Sequence, residues 1–105
     1  MGSNRRYAHY YDRMTEERMI ESFIAKAGPL QSLTPEEIEL DALPLTIYPE
    51  GRRPQVKAWV RFGPKHARVD AVIVRSNSLA AGIEFTVRGK TYRCWVWGNA
   101  TQMSE

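Results

Sequence analysis

The period of the hydrophobic pattern changes once along this 105-residue chain. Between residues 13 and 27, apolar side chains recur every three or four positions, which is the spacing of an amphipathic helix. These apolar residues are Met19, Ile20, Phe23, Ile24 and Ala27. Gly28-Pro29 ends the pattern, because glycine suits the position after a helix and proline cannot continue one. After Pro54 apolar and polar residues alternate, as they do in half-buried strands. The change of period predicts an α+β fold.

The length of the chain allows one compact domain and is too short for two. We predict a single domain over residues 13–105, preceded by a flexible or helix-extending amino terminus at 1–12. Within the domain we expect a helix at 13–27, an acidic connector at 28–53 and a β-meander at 54–103. The predicted core consists of Val56, Val60, Val69, Ile73, Ile83, Phe85, Val87 and Val96, with Phe23 and Ile24 from the helix.

The connector combines a helix-start signal with an acidic bias. Thr34 and Glu37 have the T-x-x-E spacing of a capping box, in which each side chain bonds the other residue's backbone N–H. Pro44 follows soon after, so we expect two turns at most. Residues 27–51 contain five carboxylates and no Lys or Arg. We therefore expect the connector to lie against a basic surface, the nearest being the second half of the chain.

The strand region from Gln55 to Thr101 resembles the SH3-like small barrel. Consecutive hairpins lead into the closing segment Cys94-Trp95-Val96-Trp97-Gly98-Asn99-Ala100. With the helix pattern, the resemblance implies an N-terminal amphipathic helix packed on a four- to five-stranded antiparallel SH3-like barrel. The acidic loop and ALYDY-like stretch of peptide-binding SH3 domains are missing, so the resemblance does not imply binding of proline motifs.

The whole chain is also similar to small uncharacterised proteins of actinobacteria and their phages. The residues that carry this resemblance are Arg5-Arg6-Tyr7-Ala8, Tyr11-Asp12-Arg13-Met14 and Trp95-Val96-Trp97. It implies no activity, and a shared fold does not define one either.

Few residues of the chain could support catalysis or metal binding. The one cysteine, Cys94, is predicted to point into the barrel as a small hydrophobe. His9 and His66 have no Cys or acidic partner at ligand spacing, and no phosphate-binding glycine motif occurs. We therefore expect a protein that is not an enzyme, with no catalytic residue, no metal and no cofactor.

Targeting signals are also missing from the pattern. No apolar run reaches the length of a membrane-spanning helix, and the amino terminus lacks the apolar segment of a signal peptide. We expect a cytoplasmic protein with no membrane partner.

The charges are unevenly distributed along the chain. Residues 1–54 contain seven Lys/Arg against nine Asp/Glu, a net −2, whereas residues 55–105 contain eight against three, a net +5. A basic half suggests a polyanion or an acidic protein surface as partner. The candidate contact residues are Lys57, Trp59, Arg61, Arg68, Arg75 and Arg93.

The three tryptophans allow two interpretations. If the sheet curls so that Trp59, Trp95 and Trp97 meet, they form a surface on which bases could stack between cations. Alternatively, the indoles seat the amphipathic helix, because a sheet that is apolar on both faces needs covering. The pattern favours helix seating for at least two of the three. Trp59 is the candidate to stay partly exposed, because both of its neighbours on that face are cationic.

Two functions remain open on this basis. The first is a non-enzymatic protein-interaction or accessory module, with an unknown protein partner or self-association. The alternative is a nucleic-acid-associated module that binds the phosphate backbone through a basic, Trp-containing surface. The sequence favours the first slightly, because no residue pattern in it reads a base.

Overall fold

The computed structural model describes the backbone of residues 5–103 and the side chains of residues 16–103. Within this range it has one helix, α1 (Arg5–Lys26), and one antiparallel sheet of six strands. The strands are β1 (Thr46–Ile47), β2 (Gln55–Phe62), β3 (Lys65–Ser76), β4 (Ala80–Val87), β5 (Lys90–Trp97) and β6 (Thr101–Met103). A short 3-10 helix, Gly98–Ala100, separates β5 from β6. The predicted α+β class is confirmed.

The elements differ in two details from those expected. The helix begins at Arg5, so residues 5–12 continue it, whereas residues 1–4 and 104–105 of the predicted layout lie outside the described chain. The sheet has six strands rather than four or five, because two very short strands, β1 and β6, extend it beside β3 and β2. Among the described residues, no helix is both long enough and apolar enough to span a bilayer.

The strands follow the order β5-β4-β3-β2-β6, with β1 beside the end of β3. Within residues 5–103 no ladder joins β5 to β6, so the sheet is not closed. The connector crosses the gap instead. Gln31 N–H donates to the Arg61 carbonyl at 2.9 Å, and Leu33 N–H donates to the Trp95 carbonyl at 3.0 Å. Single hydrogen bonds from the connector therefore tie β2 to β5.

The core lies on one face of this sheet, against the carboxyl-terminal half of α1. Ile20 of α1 is buried in it, and Phe23 and Ile24 pack against it partly exposed. The predicted strand core is confirmed, with Ile73 partly buried and the other members fully buried. Those buried members are Val56, Val60, Val69, Ile83, Phe85, Val87 and Val96.

The prediction that the tryptophans seat the helix is wrong. The helix packs on the face that carries Ile20 and its strand partners, and none of the three indoles belongs to that cluster. Successive residues of a strand point to opposite faces, so the neighbours of the buried Cys94 and Val96 face away from the helix. Trp59 and Trp97 are exposed, and Trp95 is half-buried beside the connector, where its backbone N–H donates to the Ser32 hydroxyl at 2.8 Å.

The connector is held by hydrogen bonds and one buried residue rather than by charge. The capping box is confirmed: Thr34 N–H donates to a Glu37 carboxylate oxygen at 3.0 Å, and Glu37 N–H donates to the Thr34 hydroxyl at 3.2 Å. Ile38 is fully buried, and its carbonyl accepts a 2.9 Å hydrogen bond from the Asn77 amide. Contrary to expectation, within residues 16–103 no connector carboxylate enters an ion pair.

Candidate binding surface on the outer face of the sheet

Three of the predicted site residues project from the outer face of β2. Lys57, Trp59 and Arg61 occupy the positions that alternate with buried residues of this strand. The antiparallel register with β3 places Arg68 directly opposite Trp59 and Asp70 directly opposite Lys57. Four of the six predicted residues therefore lie together, at the end of the sheet nearest the β2–β3 turn.

The indole of Trp59 lies between charged and aromatic neighbours. It is 48% exposed, and the ring of His66 meets it edge-on with centroids 5.4 Å apart and planes at 63°. The Arg68 guanidinium donates a hydrogen bond to the side chain of Gln102 on β6. Strand geometry thus holds the indole in place while about half of its surface stays open.

The cations around Trp59 differ in whether an acid neutralises them. Lys57 Nζ lies 2.8 Å from an Asp70 carboxylate oxygen, so this pair contributes little net charge. Arg61 and Arg68 make no ion pair with any residue in the range 16–103. His66 lies opposite Arg61 and Arg68 opposite Trp59, so both share the outer face with them. We define the Trp59 patch as Trp59, Arg61, His66 and Arg68.

The remaining two predicted residues lie elsewhere on the outer face. A β-bulge shifts the register of β3 between Ile73 and Arg75, and this extra residue returns Arg75 to the outer face opposite Gly82. A side chain at Gly82 would meet both Arg75 and the Trp95 ring, so these two side chains lie over the bare glycine. The aliphatic part of the Arg75 side chain therefore packs beside the Trp95 ring.

Arg93 is engaged by an acid. Its Nε and one terminal nitrogen each lie 2.7 Å from the same carboxylate oxygen of Glu84, and Arg53 approaches the other oxygen at 4.0 Å. Glu84 was not singled out from the sequence. The two-residue turn between Val87 and Lys90 would have placed it opposite Arg93, because that turn sets the register of the whole hairpin.

The three indoles share the outer face of the sheet, on β2 and β5. Among residues 16–103 the Trp59 ring is paired with His66, and no ring pair joins two tryptophans. Trp59 is level with Arg68 on β3, and Trp95 is level with Arg75. Measured along β3, these two levels are seven residues apart, roughly 23 Å at about 3.3 Å per residue. The surroundings of Trp59 and of Trp95 are therefore formed by different residues of β3.

The part of the chain with described side chains also contains clefts and a buried thiol. A cleft of about 630 Å³ lies where β3 and β4 diverge beneath Ile20 of α1, and a second of about 550 Å³ lies beside Trp97. Burial raises the pKa of the Cys94 thiol to about 11, so the sulfur is protonated at neutral pH and is a poor nucleophile. Among the described residues no group of His, Cys, Asp and Glu is placed to hold a metal ion. The side chain of His9 lies outside those residues.

These features define a small α+β domain with an aromatic, cationic patch on the outer face of its sheet. No protein-family model matches the chain, and no curated protein or solved structure does either.

Proposed function

We propose that this protein is a non-enzymatic protein-interaction or accessory module built on an SH3-like small barrel, with the Trp59 patch as its partner-binding surface. The observation that carries the proposal is the half-exposed Trp59, surrounded by cations on a face that neither the helix nor the connector covers. Tryptophan and arginine are the residues that most often dominate the energy of protein interfaces.

The SH3-like part of the proposal is supported by the order of the strands. A meander of four strands, β2 to β5, is followed by a 3-10 helix and by a short last strand that returns to β2. The connector partly bridges the gap between β5 and β2, as expected of a small barrel that is incompletely closed.

The compactness of the patch favours a protein over a nucleic acid. A phosphate backbone needs a track of unpaired cations. Here Lys57 is paired with Asp70, Arg93 is paired with Glu84, and Arg75 lies roughly 23 Å along the strand from the patch. Two arginines beside one indole fit the centre of a protein interface better.

The nucleic-acid alternative is favoured by one observation, the open face of Trp59 beside Arg61 and Arg68. A single base could stack on this indole while the guanidinium groups contact the flanking phosphates. Such binding would weaken steeply as the salt concentration rises.

Site-specific crosslinking in cells tests the proposal. A photo-crosslinking amino acid at His66, inside the patch, should give a discrete protein adduct that Trp59→Ala suppresses. The same amino acid at exposed Thr91, on β5, is the control and should not give that adduct. No protein adduct from the patch, or one of equal yield at Thr91, would contradict the proposal.

Fluorescence anisotropy with a labelled single-stranded oligonucleotide tests the alternative. Arg61→Gln/Arg68→Gln should leave the signal of the wild type unchanged if the patch binds protein. If the patch binds nucleic acid, the same variant should lose salt-sensitive binding. The control Arg52→Gln/Lys90→Gln removes two charges from other exposed positions.

A further inference from the structure

At the end of the sheet opposite the Trp59 patch, the exposed carboxylates of Glu36, Glu39 and Asp41 outnumber the exposed cation there, Arg75, which lies opposite Ile47. Asn77 holds the connector turn there through the Ile38 carbonyl, and the capping box of Thr34 and Glu37 begins that turn. The turn is therefore rigidly attached. We define the acidic end as the exposed residues Glu36, Glu39, Asp41, Leu45 and Ile47.

The carboxylates of the acidic end, those of Glu36, Glu39 and Asp41, are not engaged in ion pairs with the described side chains (residues 16–103) of the same molecule. Ile47, on β1, is 68% exposed although it is apolar, and Leu45 just before it is also exposed. Exposed apolar side chains beside carboxylates have the composition of an interface with an apolar centre and a charged rim.

The Trp59 patch has a similar composition with the opposite charge: its exposed indole lies beside Arg61 and Arg68, which form no ion pair with any residue from 16 to 103. The Trp59 patch and the acidic end of the same molecule cannot contact each other. Ile47 lies opposite Arg75 and Trp59 lies opposite Arg68, so seven residues of β3, roughly 23 Å, separate them.

We infer that the occupant of the Trp59 patch is the acidic end of a second copy of this chain. This inference rests on the proposed function, since it names the partner of the same patch. Opposite potentials steer two copies into this orientation and disfavour patch-to-patch contact. The partner segment is pre-organised by the buried Ile38, so little ordering is required on binding.

Such contact is head-to-tail, because two different surfaces meet. Each added copy leaves one patch and one acidic end free, so assembly continues as an open chain or closes into a ring. The assembly therefore grows with protein concentration and dissociates with salt, which screens charges beyond about 10 Å at 0.1 M.

Complementation between two variants tests the inference. One variant disables the patch and the other disables the acidic end, and all the changed side chains are exposed. The patch variant is Trp59→Ala/Arg61→Gln/Arg68→Gln. The acidic-end variant is Glu36→Gln/Glu39→Asn/Asp41→Asn, in which asparagine tolerates the positive φ of position 39.

Sedimentation velocity is measured up to about 300 μM, where a micromolar interface is fully occupied, in about 20 mM and about 300 mM salt. We expect wild type to form species larger than a dimer at low salt, and each variant alone to stay monomeric. An equimolar mixture should give a 1:1 dimer and nothing larger, because only one intact pair of surfaces remains. The control Glu16→Gln/Glu17→Gln, which removes helix carboxylates, should assemble as wild type does.

A monomeric wild type at low salt, a mixture that stays monomeric, or an acidic-end variant that assembles like wild type would overturn the inference. Thermal melts of both variants show whether the fold survives the changes. If wild type stays monomeric while the His66 crosslink still captures a different protein, the inference fails and the proposed function stands. If the crosslink is also lost, both fail.

Discussion

The carbonyl oxygen of Ala27 occupies the space in which a side chain of Gly63 would begin. A Cβ at Gly63 would overlap that oxygen and stand 2.9 Å from the carbonyl carbon of Ala27. Gly63 also has a φ of 56°, in the left-handed region that favours glycine. The end of α1 and the β2–β3 turn therefore touch backbone to backbone, beside the Trp59 patch.

We expect Gly63→Ala to destabilise the protein by more than about 2 kcal/mol, because steric overlap adds to the cost of a strained φ. The matched control is Gly89→Ala. Its φ is 82°, but nothing lies within 4 Å of the added carbon, so only the strain of about 1 kcal/mol applies. Urea unfolding of both variants measures the difference. Equal losses would show that the helix does not press on the turn.

The Asn77 side chain makes three hydrogen bonds that join the connector to the β3–β4 turn. It donates to the Ile38 carbonyl, and its oxygen accepts from Leu79 N–H and Ala80 N–H, all at 2.9 Å. We expect Asn77→Ala to cost about 2–3 kcal/mol, since backbone groups lose their partners. Asn77→Asp keeps both acceptor bonds and should cost about 1 kcal/mol. Thermal unfolding compares them, and a harmless Asn77→Ala would contradict the anchoring.

Cys94 should react slowly with a thiol reagent in the native protein and rapidly in denaturant, because its sulfur is buried and protonated. Labelling followed by mass spectrometry at neutral pH measures both rates. Rapid labelling of the native protein would place the thiol at the surface.

The same thiol gives stability a dependence on alkaline pH. Burial raises its pKa from 9.0 to about 11, so the folded state holds the proton more tightly than the unfolded state does. Its contribution is complete below pH 9 and is lost as the pH rises toward about 11. In Cys94→Ala the other groups titrate alike. Relative to that variant, the free energy of unfolding of the wild type should fall by on the order of 2 kcal/mol between pH 9.0 and about 11. Parallel pH profiles would contradict the shifted pKa.

Two aromatic residues on opposite faces should respond differently to truncation. Phe85 is buried and stacks on Tyr92 at 5.5 Å, so Phe85→Ala should cost about 3–5 kcal/mol. Trp59→Ala should cost less than about 1 kcal/mol, because the indole lies outside the core. Chemical denaturation measures both. A large loss for Trp59→Ala would mean that the patch serves the fold rather than a partner.

The faces of the strands could be assigned from sequence because alternation is a local property. Val56 and Val60 are buried and Lys57 and Trp59 point outward, as the period of two requires. The capping box of Thr34 and the burial of Cys94 followed from equally short-range patterns.

The candidate site could be predicted only in part. Arg68 was singled out for its charge, and its place opposite Trp59 follows from the register of a hairpin. The pairing of Arg93 with Glu84 was not predicted, although the two-residue β4–β5 turn sets the register that places these side chains opposite each other. The bulge that turns Arg75 outward has no comparable local signal.

The sequence by itself determined the class of the fold, the elements and the inward or outward direction of most strand residues, since these depend on spacing along one segment. Only the tertiary structure decided which face the helix covers, which strands separate the tryptophans and which cations keep their charge. Those properties depend on contacts between residues far apart in the chain. Trp59 remains open because Ile20 packs on the other face of the sheet. Arg61 has no ion-pair partner among the side chains of residues 16–103, because the carboxylates of the connector turn are held at the opposite end.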